Sequence, residues 1–470
     1  MLPRRSLLFG ALIGAGLASG LAPLVHASPD LLVENLTRLY PVKVAAIVVP
    51  SSGAEVVQAV QSWPGQIAVG GGRYSMGGQI GVEGGLHIDM RKMNALIWLR
   101  AQELAVRVQA GMRWRDLQDH LDKADLSVRT MQSYSNFTVG GSASVNVHGR
   151  YVGHGPIAGS IRSLQIVLSD GRVMEANRQK NPDLFRAAIG GYGGVGVITE
   201  VELDLDRNSR IERSIAHVQL ADYPGYFKSK VKGESAMLMH NADLLPPKFD
   251  VATAVNWSVT NKGLTVTERL VPRGKRYALE QSLIWAVTEL PKGDLLQRKV
   301  LRPLIQRKPE VVWRNYEASL DAASLEPKSR TASTYVLQEY FVPVRHFSAY
   351  TSLMAAVIRR HGAQVLNVSV RHSQADEDSV MAWARDEVFS FVVYYKQGTD
   401  AASMQGTAAW TRDMVATALE YGGSYYLPYQ RHATQSQFDA AYPQKSAFKR
   451  VKDEFDPGHR MSNELWKQYL

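Results

Sequence analysis

The 470-residue chain contains no cysteine. That absence excludes disulfides, thiolate metal sites, iron–sulfur clusters and a cysteine nucleophile. Long apolar runs are scarce as well. Beyond the N-terminus no stretch approaches the ~20 continuous apolar residues that a membrane-spanning helix needs. No internal repeat and no low-complexity tract appears. The formal charge is +10, but the basic residues are dispersed rather than clustered, which argues against a nucleic-acid-binding surface.

The first residues read as a leader. Arg4 and Arg5 precede an apolar run from Leu7 to Leu24, and Val25-His26-Ala27 supplies a small-residue cleavage site. This is the layout of a secretory signal peptide. The paired arginines before Ser6-Leu7-Leu8 favour the twin-arginine route, although the usual Phe and Lys are missing. An uncleaved anchor helix is the alternative. Removal of residues 1–27 leaves 443 residues at +8, more than one ordinary core accommodates, so two domains are expected. Export without disulfides suits a protein that folds, and takes up any cytoplasmic cofactor, before translocation.

From Val42 to Leu205 the chain alternates short strands, glycine turns and helices. Val44–Val49 and Ile67–Val69 read as strands. Ser51 or Ser52 can cap a helix with Val56, Val57 and Val60 on one face. Trp114–Ala124 carries Leu117 and Leu121 at i, i+4, Ile161–Leu168 ends at the Asp170-Gly171 turn, and Val197–Leu205 closes the region. Beyond Asp206 glycine thins out. Apolar alternation over Ala252–Val259, Thr334–Val342, Val365–Val370 and Phe389–Tyr395 predicts an antiparallel sheet with helical cover. The expected class is α+β. The expected divisions are 28–208, 209–424 and a tail, 425–470, which contains the Phe455-Asp456-Pro457-Gly458 turn.

Three glycine clusters dominate the first region. Gly70-Gly71-Gly72-Arg73-Tyr74-Ser75 leads on to Gln79 directly after a strand, and such runs let backbone N–H groups converge on an anion. Thr138-Val139-Gly140-Gly141-Ser142-Ala143-Ser144 runs into Val145-Asn146-Val147-His148, small residues that let backbone approach a flat ring. Gly191, Gly193 and Gly196 form a literal G-x-G-x-x-G. Here, however, a helix precedes it and a strand follows, the reverse of a nicotinamide-binding unit.

Taken together, the clusters resemble those of the vanillyl-alcohol-oxidase or PCMH-type FAD enzymes, the group of aldonolactone, alditol and decaprenylphosphoryl-ribose oxidases. The resemblance covers most of the chain. It implies a two-domain fold, an FAD domain with a substrate-binding cap built on an antiparallel sheet, and it assigns FAD contacts. Gly70, Gly71, Gly72, Arg73, Tyr74, Ser75 and Gln79 correspond to the pyrophosphate loop. Ser133, Thr138, Val139, Gly140, Gly141, Ser144, Val145, Asn146, Val147 and His148 correspond to the second FAD segment. Val197 and Ile198 fall where the family packs backbone on the cofactor. His148 admits three readings: flavin neighbour, base, or satisfied core histidine. Tyr74 stands where many relatives carry the histidine bonded to the flavin, which implies non-covalent FAD, with a tyrosyl ether as the alternative. Val147 replaces smaller residues beside the flavin edge, which favours restricted access of O₂.

Oxidation of an alcohol carbon requires an acceptor for the hydroxyl proton and a cation near the flavin. The resemblance implies Glu339, four residues before Pro343, as a substrate contact. It implies Arg371 as a strand-borne cation and Lys396 as the active-site lysine, with Tyr316 a further candidate. The first three also have a bland reading: a buried Glu339–Arg371 pair, and Lys396 at a solvated strand end. The tail's Tyr442-Pro443 and Phe455–Asn463 resemble the segment that returns to the FAD domain. Leu295–Lys308 is an amphipathic stretch interrupted by Pro303, either packed on its own domain or resting on anionic lipid. The function implied is oxidation of a sugar, alditol or aldonolactone, with O₂ or a redox partner as electron acceptor. A polyprenyl-phosphate-linked sugar as substrate and a non-catalytic flavin-binding or ligand-binding protein are the alternatives.

Overall fold

The computed structural model describes residues 31–289, 310–327 and 329–470. The leader and the 295–308 stretch lie outside the described residues. Among these, no helix is long and apolar enough to cross a membrane.

The expected strand at Val44–Val49 is divided. Val42–Val44 pairs with Leu31–Val33, whereas Ala46–Val48 joins a parallel three-stranded sheet with Leu86–Asp89 at its centre and Ile67–Gly70 beyond. Ala45 turns outward at the join, its N–H donating to Gly85 O at 2.9 Å. The next helix, Gly53–Ser62, starts at Ser52, whose hydroxyl accepts from Glu55 N–H, and it buries Val56 and Val60. A second, antiparallel sheet runs in the order Val173–Asn177, Ile161–Val167, Val197–Arg207, Ala105–Gln109, Leu96–Arg100.

The chain leaves this sheet at Arg207 and enters another at Arg210. This other sheet has eight antiparallel strands among the described residues. At its heart Val365–Ser373, Val388–Gly398 and Ser333–Pro343 lie side by side, and Ser424–Tyr425 edges the last. The alternation in the sequence predicts this sheet because apolar residues at every second position bury one face. Helices Phe347–Arg360 and Ala401–Glu420 pack against each other and against it. The α+β class inferred from the sequence is therefore what the chain adopts.

The tail returns to the first region. Ile67 N–H donates to Arg460 O at 2.7 Å and Ser462 N–H to Ile67 O at 2.9 Å. The Gly190–Gly196 cluster serves this docking. A Cβ on Gly194 would lie 2.6 Å from the Trp466 indole nitrogen, and buried Lys452 Nζ donates to Gly194 O and Met461 O at 2.7 and 2.6 Å. Helix Pro182–Ala188 precedes the cluster and strand Val197–Arg207 follows, the order that argues against nicotinamide binding.

Candidate active site

A cavity of about 1080 Å³, mouth included, lies where the glycine clusters face the eight-stranded sheet. One wall is backbone. Gly71 and Gly72 line it, and a Cβ on Gly71 would lie 2.2 Å from Thr138 Oγ1. The first two glycine clusters, far apart in sequence, are thus in contact. Thr138 itself caps helix Val139–Ser144 by accepting from Gly141 N–H. Arg73 adopts φ 63° and its guanidinium pairs with Asp89 at 3.0 Å. Tyr74 stacks on Phe137, centroids 4.2 Å apart, and burial pushes its phenol up to about 12 despite nearby Arg113.

Of the expected cofactor residues, Arg73, Tyr74, Ser75, Gln79, Ser133, Thr138, Gly141, Ser144, Val145, Val147 and His148 also reach this cavity. The remainder do not. Gly70 packs on His87, where a Cβ would meet the ring at 2.4 Å, and Gly140 packs on Ala110. Val139 is buried in the core. Asn146 turns its amide to Asp376 at 2.7 Å. Val197 and Ile198 pair with Val167 and Ile166 inside the antiparallel sheet and are not among the residues that line the cavity.

The opposite wall is side chains. Register sets Glu339 beside Val392, and Arg371 and Phe341 on either side of Ser390. Glu339 Oε1 accepts from His148 Nε2 and from Ser390 Oγ, each at 2.5 Å, and Oε2 accepts from Tyr429 Oη at 3.3 Å. Burial opposes ionisation of this carboxyl, but His148, Arg371 and Ser390 together hold it below the usual glutamate range. His148 sits against Trp383, centroids 4.9 Å apart.

Two expected catalytic residues are elsewhere. Lys396 lies opposite Tyr335, four residues or roughly 13 Å along the strand from Val392, and its ammonium contacts Glu289. Tyr316 belongs to helix Arg314–Ala318, which packs on the first region through Arg314 Nη2 to Val128 O at 2.7 Å, and it is not among the residues that line the cavity. Conversely, Tyr426, Tyr429, Tyr192 and Tyr134 line the cavity without having been singled out. Ser390 carried a faint signal, a lone hydroxyl in an apolar strand. The tail tyrosines carried none.

The cavity suits FAD on structural grounds. Ser133 Oγ, Arg73 Nε, His148 Nδ1 and Arg371 Nε are buried on its lining and have no hydrogen-bond partner among the described residues. Each such orphan costs about 1–3 kcal/mol, so four on one lining call for a polar ligand. The glycine wall supplies backbone amides, and the rest of the lining is largely apolar and aromatic, as nucleotide and flavin pockets are.

Comparison with known proteins agrees. Residues 44–177 match the family described as FAD binding domain. The chain is 22% identical to L-gulonolactone oxidase of Mus musculus over 92% of its own length and 97% of that protein. It is 28% identical to cytokinin dehydrogenase 2 of Arabidopsis thaliana over 37% of this chain and 35% of that one. It is 38% identical to a putative D-arabinono-1,4-lactone oxidase of Neurospora crassa over 24% and 20%. Fold, cavity and matches together define an FAD-dependent oxidoreductase. In this the chain is similar to the PCMH-type FAD oxidoreductases, among them the aldonolactone oxidases that it matches.

Proposed function

We propose that the protein oxidises an alcohol carbon of a sugar, alditol or aldonolactone, and that Glu339 accepts the hydroxyl proton. The observation that carries this reading is a buried carboxylate on the cavity wall, kept ionised by His148, Ser390 and Arg371. FAD, when bound, supplies the oxidant by taking the hydride of the alcohol carbon. The chain's own residues do the rest. Ser133, Arg73 and the Gly71–Gly72 backbone hold the cofactor, and His148 orients Glu339. Arg371 provides positive charge where negative charge develops. The aromatic rings keep water out.

L-Gulonolactone and D-arabinono-1,4-lactone belong in the first substrate panel because the relatives are named for them. The FAD is bound without a covalent link, since Tyr74 occupies the place of the linking histidine. Val147, on the lining, disfavours O₂ as acceptor. The leader directs export by the twin-arginine route.

The test is anaerobic bleaching of the flavin by that panel, extended with alditols and a detergent-dispersed polyprenyl-phosphate sugar. Bleaching by a lactone or alditol supports the reading, and bleaching by the lipid-linked sugar alone replaces it. No bleaching by any compound returns the protein to the class of flavin-binding proteins without this reaction. Acid precipitation should release the yellow colour to the supernatant.

A further inference from the structure

Glu339 spends most of its acceptor capacity on the protein. Oε1 takes two donors, His148 Nε2 and Ser390 Oγ, at 2.5 Å each, and Oε2 takes only Tyr429 Oη. An ionised carboxylate offers about four lone-pair sites. The site left over is therefore on Oε2, and a substrate hydroxyl that reaches Glu339 must arrive on the side where Tyr429 stands.

Tyr429 is suited to meet it. Its ring lines the same cavity, edge-on to Tyr426 with centroids 5.8 Å apart. Its hydrogen bond to Glu339, at 3.3 Å, is long for an O–H···O contact, whose usual length is about 2.7–2.8 Å, so the donor is readily diverted to a closer acceptor. Burial, with the neighbouring carboxylate, pushes the phenol well above its ordinary value, so it remains a donor. The backbone beneath it is pinned by the first glycine loop. Gln79 Nε2 donates to Leu427 O at 2.7 Å and Tyr429 O at 2.8 Å, and Met76 N–H donates to Pro428 O at 2.6 Å.

Building on the assignment of Glu339 as proton acceptor, we propose that Tyr429 is a second catalytic residue, whose O–H meets the reacting oxygen of the substrate beside Glu339 Oε2. In the alcohol complex the substrate hydroxyl donates to Oε2 and accepts from Tyr429. The carbon–hydrogen bond then breaks with its electron pair, and hydride passes to the bound FAD, the oxidant. The O–H bond breaks, its proton stays on Oε2, and the new carbonyl oxygen is held by the Tyr429 O–H. The substrate loses two electrons and two hydrogens, the flavin gains the hydride and Glu339 the proton.

The experiment compares FAD-loaded wild type, Tyr429→Phe and Glu339→Gln. Stopped-flow flavin reduction uses whichever panel compound bleaches the wild type. Phenylalanine keeps the ring, so FAD content and substrate half-saturation should stay within threefold while flavin reduction slows about 100-fold, the usual effect of losing one donor to a developing oxyanion. The acid limb of the rate–pH profile should move to higher pH, because the carboxylate has lost a donor. A readout without substrate accompanies this: the infrared band of the protonated Glu339 carboxyl, recognised by its absence in Glu339→Gln, should titrate at higher pH in Tyr429→Phe. Flavin reduction within twofold of wild type overturns the proposal, as does slowing with an unmoved Glu339 midpoint. If no panel compound bleaches the wild type, the assigned reaction is what fails. The infrared midpoint then still decides for Tyr429, unmoved against it and raised in favour of its hold on the carboxylate.

Discussion

The two walls of the cavity are made of different material. On the N-terminal side, glycine backbone forms the surface, and at Gly71 even a methyl group would collide with Thr138. On the C-terminal side, three adjacent strands and the tail contribute side chains: Arg371, Val392, Glu339 and Tyr429. Backbone amides are the same whatever the sequence, so such a wall suits a cofactor that never changes. Side chains on a regular sheet are exchangeable one at a time, which suits a substrate that varies among relatives. The contrast makes a sharp demand: substitutions on the sheet wall should alter turnover without releasing FAD. Glu339→Gln should show the largest effect. It removes the proton acceptor but keeps the shape, and flavin reduction should fall about 10³-fold, equivalent to ~4 kcal/mol, with FAD content unchanged in the visible spectrum. Loss of flavin along with rate would break the comparison.

Acid should affect both walls together. His87, beneath Gly70, is held down to about 4 by burial and by Arg73. In the large sheet, burial holds His240 down to about 4 as well. A histidine with a depressed native pKa remains neutral while the unfolded chain takes up protons below about 6.5. Stability is therefore complete above that pH and is lost as pH falls toward 4, by about 3 kcal/mol for each such histidine. Thermal unfolding between pH 7.5 and 4.5, followed by flavin and tryptophan fluorescence, should show the two signals declining in parallel. Flavin release a full pH unit before loss of tryptophan signal would mean that the walls fail separately.

A smaller effect is expected on the glycine side. Gly71→Ala forces Thr138 Oγ1 aside and weakens its cap on Gly141 N–H. Overpacking of this kind costs about 2 kcal/mol, which corresponds to roughly 30-fold weaker FAD retention, measurable by dialysis and reconstitution. A change of comparable size on the opposite wall, Val392→Ala, should leave FAD retention within twofold.

How much of this was legible in the sequence follows from the same contrast. The glycine wall is built from two short runs, each contiguous in the chain, so Gly71, Gly72, Thr138 and Gly141 could be read directly, and four alternating segments announced the large sheet. The sheet wall is assembled by register. Glu339 and Arg371 were reached through a resemblance, but which residue stands beside which depends on strand pairing that no short window encodes. Tyr429 comes from a segment whose placement rests on Gln79, 350 positions away. Val197 and Ile198 show the complementary limit: a strand in the middle of a sheet is apolar whether it faces a cofactor or the core.

Lys396 is where the sequence and the register part most clearly, and it carries the smallest prediction. Strand alternation gives it the same face as Val392, so one-dimensional periodicity cannot tell it from a cavity residue. Distance does, because roughly 13 Å of strand separates the two positions, and the ammonium is occupied by Glu289. The pair is partly exposed, at 14% and 36%, so Lys396→Ala should cost less than about 1 kcal/mol in a denaturant titration. Flavin reduction should stay within twofold of wild type, since nothing on the cavity wall depends on that charge. A collapse in rate comparable to that of Glu339→Gln would require the substrate to extend along the sheet past Tyr394, and the side-chain wall would then be longer than the cavity that now defines it.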